Sequence, residues 1–168
     1  KNFEIPQLNR KRRVWLYLPP GYEKSNESYP VVYMHDGQNL FDANTSFSGE
    51  WSVDETLNKL FNEKNLKLIV VGVDNGGSKR LDEYSPWTND KYGGGEGDAY
   101  LEFIVNTLKP YIDRNYKTLT GKKNTGIIGS SMGGFIAGNF SARYPMRVKA
   151  LWLISPFGVV GSQNSEMF

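Results

Sequence analysis

The chain has 168 residues, a formal net charge of +2 and no cysteine. This length is enough for one domain with a sizeable core, and we expect residues 1–168 to form a single domain. The lack of cysteine excludes disulfides and thiolate chemistry, and the small net charge gives no indication of a nucleic-acid partner. No apolar stretch approaches the length of a membrane span, so we expect a soluble protein, with the cytoplasm and the cell exterior both open as compartments.

The first half of the chain alternates between strand and helix patterns. A basic cluster at 10–13, interpreted as a solvated edge, leads into the strand pattern R-V-W-L-Y-L at 13–18. The runs V-V-Y-M after Pro30 and L-I-V-V-G-V at 68–73 are typical of strands buried on both faces. Between them, residues 53–61 have helical spacing, and Ser52 with Glu55 matches a capping box. Residues 74–97 are predicted to be a long polar loop rich in glycine.

The second half continues the alternation. We expect Asp98 to cap a helix over 98–115, with a kink or break at Pro110. Residues 125–128 predict a third buried strand, followed by a helix that ends near 144–145 and by a fourth strand over 148–154. Residues 155–168 are predicted to be irregular. Strands that alternate with amphipathic helices indicate a mostly parallel α/β sheet, in which the strand at 13–18 is antiparallel and near one edge.

The most informative motif is I-I-G-S-S-M-G-G at 127–134. Ser131 lies at the centre of a G-x-S-x-G pattern formed with Gly129 and Gly133, between a predicted strand and a predicted helix. That context is what a nucleophile elbow requires, because only residues with little or no side chain fit around a strained turn of this kind. The alternative is an ordinary glycine-rich turn between a strand and a helix.

An acyl-transfer site built on Ser131 needs a base, a group that orients the base, and donors for the oxyanion. The backbone N–H of Met132, directly after the serine, is one candidate donor. In an α/β-hydrolase layout the second donor comes from a loop that follows another strand. We place that loop at the turn H-D-G-Q over 35–38, where Gly37 permits a close backbone approach.

Several segments together resemble the esterase family of α/β-hydrolases that includes siderophore esterases, feruloyl and acetylxylan esterases, S-formylglutathione hydrolases and mycolyltransferases. These segments read Y-M-H-D-G-Q-N-L-F-D, G-E-W-S-V-D-E-T-L, E-Y-S-P-W, G-G-E-G-D-A-Y-L-E-F-I and I-G-S-S-M-G-G. The resemblance covers nearly the whole chain and implies an α/β-hydrolase fold with helices on both faces of the sheet. It also implies Ser131 as nucleophile, the N–H groups of Met132 and Gln38 as the oxyanion hole, and a reaction without cofactor. One histidine and no cysteine argue against a transition-metal site.

The sequence departs from the family pattern after the nucleophile. The family orders its triad as serine, acid and histidine, but only Glu166 and no histidine follow Ser131. We therefore expect the C-terminal strands and helix that carry the acid and the base to be missing, and we expect little turnover from these residues alone. The only histidine, His35, is interpreted as structural, and Glu166 as a solvated side chain.

The predicted function is serine carboxylic-ester hydrolysis through an acyl-enzyme on Ser131, with a small-molecule or carbohydrate-linked ester as substrate. Two alternatives stay open: a binding module that is non-catalytic or depends on complementation, and an acyltransferase that uses an alcohol as acceptor. A truncated fold would also expose a sheet edge through which copies of the chain could associate. Three kinds of feature stay open between a role in the site and a structural role. Trp51 and Trp87 are pocket or core residues, and 93–97 is a rim of the site or a solvent loop. The side chains of the neighbouring pairs Asp54-Glu55 and Asp82-Glu83 are expected to diverge and to form surface charge, not a paired acid/base site.

Overall fold

The computed structural model describes residues 1–47 and 49–155. In chain order its strands are β1 (Asn2–Ile5), β2 (Arg10–Tyr17), β3 (Val31–His35), β4 (Ile69–Val73), β5 (Thr88–Asn89), β6 (Gly93–Gly94), β7 (Thr125–Ser130) and β8 (Ala150–Ile154). The helices are α1 (Val53–Lys64), α2 (Arg80–Tyr84), α3 (Gly97–Glu102), α4 (Lys109–Asn115) and α5 (Met132–Arg143). Within the described ranges, no helix has the length and apolar character needed to cross a membrane.

Six of these strands form one sheet in the order β1-β2-β4-β3-β7-β8, and β5 pairs only with β6. The central strand β3 is parallel to β4 and β7, so that Tyr33 lies opposite Val71 on one side and Ile127 on the other. Strand β8 is parallel to β7, whereas β1 and β2 are antiparallel to their neighbours. The mostly parallel sheet with an antiparallel strand near one edge is therefore confirmed. Strand β1 was not predicted, because its four residues are too few for a pattern.

Successive side chains of the central strands point to opposite faces of the sheet, and each face is covered by helices. Tyr33 and Ile127 belong to the larger hydrophobic cluster, which also contains buried residues of α3, α4 and α5. Met34 and Ile128 contact the smaller cluster, against which α1 packs. This alternation explains why the strands are continuous apolar runs, since both faces are removed from water. The prediction of helices on both faces is confirmed.

Helices α3 and α4 form one continuous helical segment. The residues that join them, Phe103–Leu108, have π-helical hydrogen bonding, and Pro110 lies in the first turn of α4. Pro110 has no N–H for the carbonyl of Asn106, and its ring crowds that carbonyl. The wider turn absorbs this conflict, so where a kink or break was predicted the structure has an irregular turn within a continuous helical segment.

The predicted loop at 74–97 contains regular structure. It includes α2 and the hairpin of β5 and β6, and the Asp82 carboxylate accepts a hydrogen bond from the N–H of Gly94 at 2.7 Å. The Ser85 carbonyl accepts two more, from Gly95 at 2.8 Å and Gly97 at 3.0 Å. Gly93, Gly94 and Gly95 have positive φ angles. The glycines therefore serve a tight backbone excursion docked on α2, which a polar composition does not reveal.

Both predicted helix caps are wrong. Ser52 has φ 48° and ψ 48° and makes no capping hydrogen bond, because the turn there is held by backbone bonds from Trp51 to Asn39 and from Val53 to Leu40. Helix α3 begins one residue early, at Gly97, without a side-chain cap. Asp98 instead pairs with Arg143 on α5 at 2.9 Å.

The basic cluster at 10–13 divides by strand alternation. Lys11 and Arg13 are exposed, as expected of a solvated edge. Arg12 is only 5% exposed and contacts the fully buried carboxylate of Glu83 at 2.6 Å. Arg10 contacts Glu83 at 3.0 Å as well. The interpretation as a solvated edge is wrong for Arg10 and Arg12, because α2 brings an acid against that face of β2.

Candidate active site

Ser131 lies where β7 ends and α5 begins. Its backbone has φ 53° and ψ −122°, a conformation that non-glycine residues rarely adopt and that costs on the order of 1–3 kcal/mol. The N–H of Ser131 donates to the carbonyl oxygen of Ile154 on β8 at 2.9 Å, which holds the strained turn in place. The residue is exposed, unlike most of its neighbours on α5. The fold thus presents Ser131 at the carboxyl edge of the sheet.

The two glycines of the motif are required by close packing. A Cβ atom at Gly129 would lie 1.9 Å from the carbonyl oxygen of Gly133, which is a severe clash. A Cβ atom at Gly133 would lie 3.0 Å from Oδ2 of Asp36 and 3.3 Å from Cβ of His35. The spacing of the motif therefore reflects the approach of strand, helix and neighbouring turn around Ser131.

The two predicted donor residues occupy the first turns of helices. Met132 is the first residue of α5, and Gln38 lies in the short 3-10 helix Gly37–Asn39 that follows β3. The N–H groups at the start of a helix have no acceptor within it, so both positions offer free donors. Gly37 packs against β4, where a Cβ atom would lie 2.7 Å from the backbone of Gly72 and Val73.

A cavity of about 690 Å³ brings Ser131 and Gln38 together. Its lining is mainly amide, hydroxyl and charged side chains with two aromatic rings, and comprises Asp36, Gln38, Asn39, Thr45, Ser46, Phe47, Trp51, Asn75, Gly77, Arg80, Ser130 and Ser131. Met132 is not part of this lining. Of the two tryptophans, Trp51 lines the cavity. Trp87 packs against Phe135, with the ring centroids 5.5 Å apart.

Asp36 is the best-connected side chain in the cavity wall. Its carboxylate accepts hydrogen bonds from Arg80 Nε at 2.8 Å, from Arg80 Nη2 at 2.9 Å and from Asn75 Nδ2 at 2.7 Å. Burial by itself would raise the pKa of Asp36, but the bonds and charge of Arg80 outweigh it and hold the pKa below its ordinary value. Asp36 is thus an anion that is neutralised locally by Arg80.

The turn that carries Gln38 is held on both sides. Gln38 Oε1 accepts a hydrogen bond from the N–H of Asn75 at 3.1 Å. The carbonyl oxygen of Gln38 accepts one from Thr45 Oγ1 at 2.8 Å. Asn39 Oδ1 accepts another from the N–H of Phe47 at 3.0 Å. These contacts fix the turn between β4 and residues 42–47.

His35 is buried behind this wall, with 1% of its surface exposed. Its Nδ1 lies 2.8 Å from the hydroxyl of Tyr100, and its ring packs against Tyr84. Burial lowers the pKa of His35 to about 4, so the ring is neutral at pH 7. The geometry agrees with the structural interpretation of His35. A substrate in the cavity has no access to its ring nitrogens.

Asp36, Arg80, Asn75 and Tyr84 were not singled out from the sequence as site residues. A weak signal was present for Asp36, because an aspartate before Gly37 at the end of a strand is typical of a left-handed turn position. Arg80 and Asn75 lie in the predicted loop at 74–97, where nothing in the pattern distinguishes them.

Three carboxylates at the start of α1 lie close together, which corrects the expectation that Asp54 and Glu55 diverge. The oxygens of Glu50, Asp54 and Glu55 are within 4.8 Å of one another. Burial, with the contact to Glu55, raises the pKa of Asp54. Acidic clusters of this kind are common without an ion, and we assign this one no ligand. Glu166 and the irregular stretch predicted after residue 155 lie outside the described residues.

The sheet is mostly parallel and is covered by helices on both faces, and a serine lies in a strained turn between β7 and α5. This arrangement defines the α/β-hydrolase fold. The family model described as "Putative esterase" matches residues 5–165, and the chain belongs to that family. The chain is 28% identical to an IroE-like serine hydrolase from Shewanella oneidensis, whose crystal structure superposes with a TM-score of 0.72 over 90% of this chain and 48% of that one.

Two curated relatives are also similar to this chain. One is "Uncharacterized protein YbbA" of Bacillus subtilis (strain 168), which is 34% identical over 158 residues, or 90% of this chain and 55% of that protein. The other is the endo-1,4-beta-xylanase/feruloyl esterase of Xylanibacter ruminicola, which is 28% identical over 138 residues, or 77% of this chain and 17% of that protein. The chain thus spans about half the length of the first relative and less of the second. The family and the names of its members support ester hydrolysis as the general class of activity.

Proposed function

We propose that this chain is the nucleophile-bearing part of a serine carboxylic-ester hydrolase. The observation that carries the proposal is the backbone of Ser131, which at φ 53° and ψ −122° exposes its hydroxyl beside a cavity and at the N-terminus of α5. A strained conformation persists only where surrounding structure enforces it, and such positions cluster at functional sites. The names of the relatives, an IroE-like serine hydrolase and a feruloyl esterase, support the same chemistry.

In the proposed reaction, Ser131 Oγ attacks the ester carbonyl carbon and loses its proton to a base. The N–H groups of Met132 and Gln38 hold the negative oxygen of the tetrahedral intermediate. When that intermediate collapses, the C–O bond to the alcohol breaks, the alcohol takes up the proton, and the acyl group stays on Ser131. Water then releases the acid by the same steps and regenerates the hydroxyl. No cofactor takes part in these steps.

The base has to come from outside the described residues. The 168 residues contain one histidine, and His35 is 1% exposed and faces Tyr100. Without a base to take the proton, both acylation and the later attack of water are slow. We therefore expect these 168 residues alone to form an acyl adduct slowly and to release it slowly.

The cavity suits a small-molecule or carbohydrate-linked ester. Its amide and hydroxyl side chains match the hydroxyl groups of a sugar, and Phe47 and Trp51 offer aromatic faces to a ring. An alcohol in the place of water would turn the same intermediate into a product of acyl transfer. Competition between water and an added alcohol for the acyl group separates hydrolysis from transfer.

The test is covalent acylation of Ser131. The purified chain is incubated with p-nitrophenyl butyrate, with and without imidazole as an external base, and the butyryl group is located by peptide mass spectrometry. We expect an adduct on Ser131 that forms faster with imidazole and is absent from Ser131→Ala. Ser141→Ala is the matched control, because the hydroxyl of Ser141 only contacts the Ala137 carbonyl at 3.1 Å further along α5. An adduct spread evenly over several serines, or none at Ser131, refutes the proposal and favours a binding module.

A further inference from the structure

We infer that Asp36 and Arg80 are positioning residues that orient the Gln38 N–H towards the carbonyl group attacked by Ser131. The inference rests on the proposed function, since it concerns the oxyanion donor of that reaction. It adds two residues, 44 positions apart, to a site that the motif alone places at Ser131.

The backbone of Asp36 is held in an uncommon conformation. Its φ of 56° and ψ of 45° place it in the left-handed region, directly before the short helix that carries Gln38. Its N–H donates to the hydroxyl of Tyr84 at 3.2 Å inside the core. A non-glycine residue stays in this region only if its surroundings hold it there. The direction in which the next residues leave the sheet therefore depends on what holds Asp36.

The ion pair between Asp36 and Arg80 holds the carboxylate in one orientation. Arg80 contacts both carboxylate oxygens of Asp36, through Nε at 2.8 Å and Nη2 at 2.9 Å, which is the bidentate geometry that fixes orientation as well as distance. Its guanidinium also lies over the ring of Tyr84, 5.0 Å from the centroid. Because the Asp36 side chain is only 5% exposed, water competes poorly for these bonds.

Asn75 connects this ion pair to Gln38. Asn75 donates from Nδ2 to Asp36 at 2.7 Å and from its backbone N–H to Gln38 Oε1 at 3.1 Å. Asp36 thus holds the backbone just before the N–H of Gln38, and Asn75 holds the side chain of Gln38. These two contacts anchor the turn on the side of β4 and depend on the Asp36 carboxylate, whereas Thr45 and Phe47 hold its other side.

The carboxylate of Asp36 also lies close to the turn that carries Ser131. A Cβ atom on Gly133 would lie 3.0 Å from Asp36 Oδ2, so the carboxylate packs directly on the first turn of α5. Asp36 therefore lies between the turn that carries Gln38 and the turn that carries Met132. The ion pair sets the separation of the two proposed donors, and small errors in such a separation reduce transition-state stabilisation much more than substrate binding.

The experiment measures acylation of Ser131 by p-nitrophenyl butyrate with imidazole, over a range of ester concentrations, in Arg80→Met, Asp36→Asn and the double variant. We expect the limiting acylation rate constant to fall about tenfold or more, with little change in the half-saturating ester concentration. The double variant should be about as slow as either single variant, because each change breaks the same pair. Arg80→Lys keeps the charge without the bidentate contact and should recover part of the rate.

Arg143→Met and Asp98→Asn are matched controls, since they break an exposed pair at 2.9 Å that joins α3 to the far end of α5. Both should acylate at the parent rate. A higher half-saturating ester concentration with an unchanged acylation rate constant overturns the inference. An equal fall of the rate constant in the two controls overturns it as well.

A second readout separates this inference from the proposed function. If the parent chain forms no adduct on Ser131, the proposed function fails, and the amide resonance of Gln38 in a ¹H–¹⁵N spectrum still tests the positioning. We expect Arg80→Met to shift that resonance and to speed its hydrogen exchange, with no such change in Arg143→Met. An unchanged Gln38 resonance in Arg80→Met overturns the inference whether or not Ser131 reacts.

Discussion

The N–H of Ser131 donates to the carbonyl oxygen of Ile154 at 2.9 Å, so that strand β8 ends directly beside the proposed nucleophile. Strand β8 is also the last strand on its side of the sheet among the described residues. A segment that paired with the other edge of β8 would therefore lie one strand away from the turn of Ser131. The edge and the proposed site are neighbours, which makes the state of β8 relevant to function.

The first prediction concerns association through β8. The strand exposes Leu151, Trp152 and Ile154. It contains no charged residue and no proline, the residue types that usually prevent an edge strand from pairing with another chain. We expect the 168-residue chain to form dimers in a concentration-dependent way, and Trp152→Lys to shift them to monomers. Light scattering after size-exclusion chromatography measures this change.

Met146→Lys is the control for that experiment, because Met146 is 73% exposed but lies in the turn before β8. It should leave the association unchanged. A parent chain that is monomeric at all concentrations would show that the edge of β8 does not join copies of this chain.

The second prediction tests the packing of the motif glycines. Gly129→Ala places a Cβ atom 1.9 Å from the Gly133 carbonyl oxygen, and the backbone has to move to relieve the clash. We expect the free energy of unfolding to fall by roughly 2–4 kcal/mol, as for other severe overpacking. Gly138→Ala is the matched control, since a Cβ atom there meets nothing within 4 Å and Gly138 lies inside α5. That change should stabilise the protein by about 0.5–1 kcal/mol. Urea denaturation measures both, and equal effects of the two substitutions would contradict the packing argument.

The third prediction is a pH dependence of stability from His35. Burial lowers the pKa of His35 to about 4 in the folded protein, against an ordinary value of 6.5 in the unfolded chain. Between these two values the unfolded state binds a proton that the folded state excludes. The free energy of unfolding therefore falls as the pH drops from 6.5 to 4, by about 3 kcal/mol in total.

His35 is the only histidine, and the ordinary pKa values of aspartate and glutamate, about 3.9 and 4.3, lie at the lower end of that window. Asp36 contributes at lower pH. Because its pKa lies below the ordinary value in the folded protein, its stabilisation is present above that ordinary value and is lost only as the pH falls below it. Unfolding in urea at pH 7, 6, 5 and 4.5 should show the decline in the parent chain and a much flatter profile in His35→Gln. An equally steep decline in the variant would assign the effect to other groups.

The fourth prediction concerns the buried pair beneath the hairpin. Glu83 is fully buried and contacts Arg12 at 2.6 Å and Arg10 at 3.0 Å. Glu83→Ala leaves the buried guanidinium of Arg12 without its counter-charge, and we expect a loss of about 3–5 kcal/mol in the free energy of unfolding. Glu4→Ala serves as the comparison, because Glu4 pairs with Lys11 at 3.1 Å where both side chains are about 70% exposed. That variant should change stability by less than about 1 kcal/mol. Similar losses in both variants would mean that burial does not govern the Glu83 pair.

Much of the fold followed from local patterns. Continuous apolar runs predicted β3, β4, β7 and β8. In β3, β4 and β7 the reason is that strands covered on both faces need apolar residues at nearly every position. Strand β8 has the same kind of run, although Leu151, Trp152 and Ile154 are exposed. The helical spacing of α1 and α5 was equally direct. The errors fell where several weak local preferences compete: the caps at Ser52 and Asp98, and the stretch 74–97, whose helix and hairpin depend on contacts with β2 and α5 rather than on their own composition.

The sequence alone determined the place of the candidate site, because the G-x-S-x-G spacing encodes a steric requirement of the backbone within five residues of Ser131. Only the tertiary structure decided how that site is built. Arg80 and Asp36 are 44 positions apart, and Arg12 and Glu83 are 71 apart. Whether a charged side chain is solvated or buried against a partner depends on which elements the fold brings into contact. No local pattern around Arg80 carries that information, since its partner is chosen by the packing of α2 against the turn after β3.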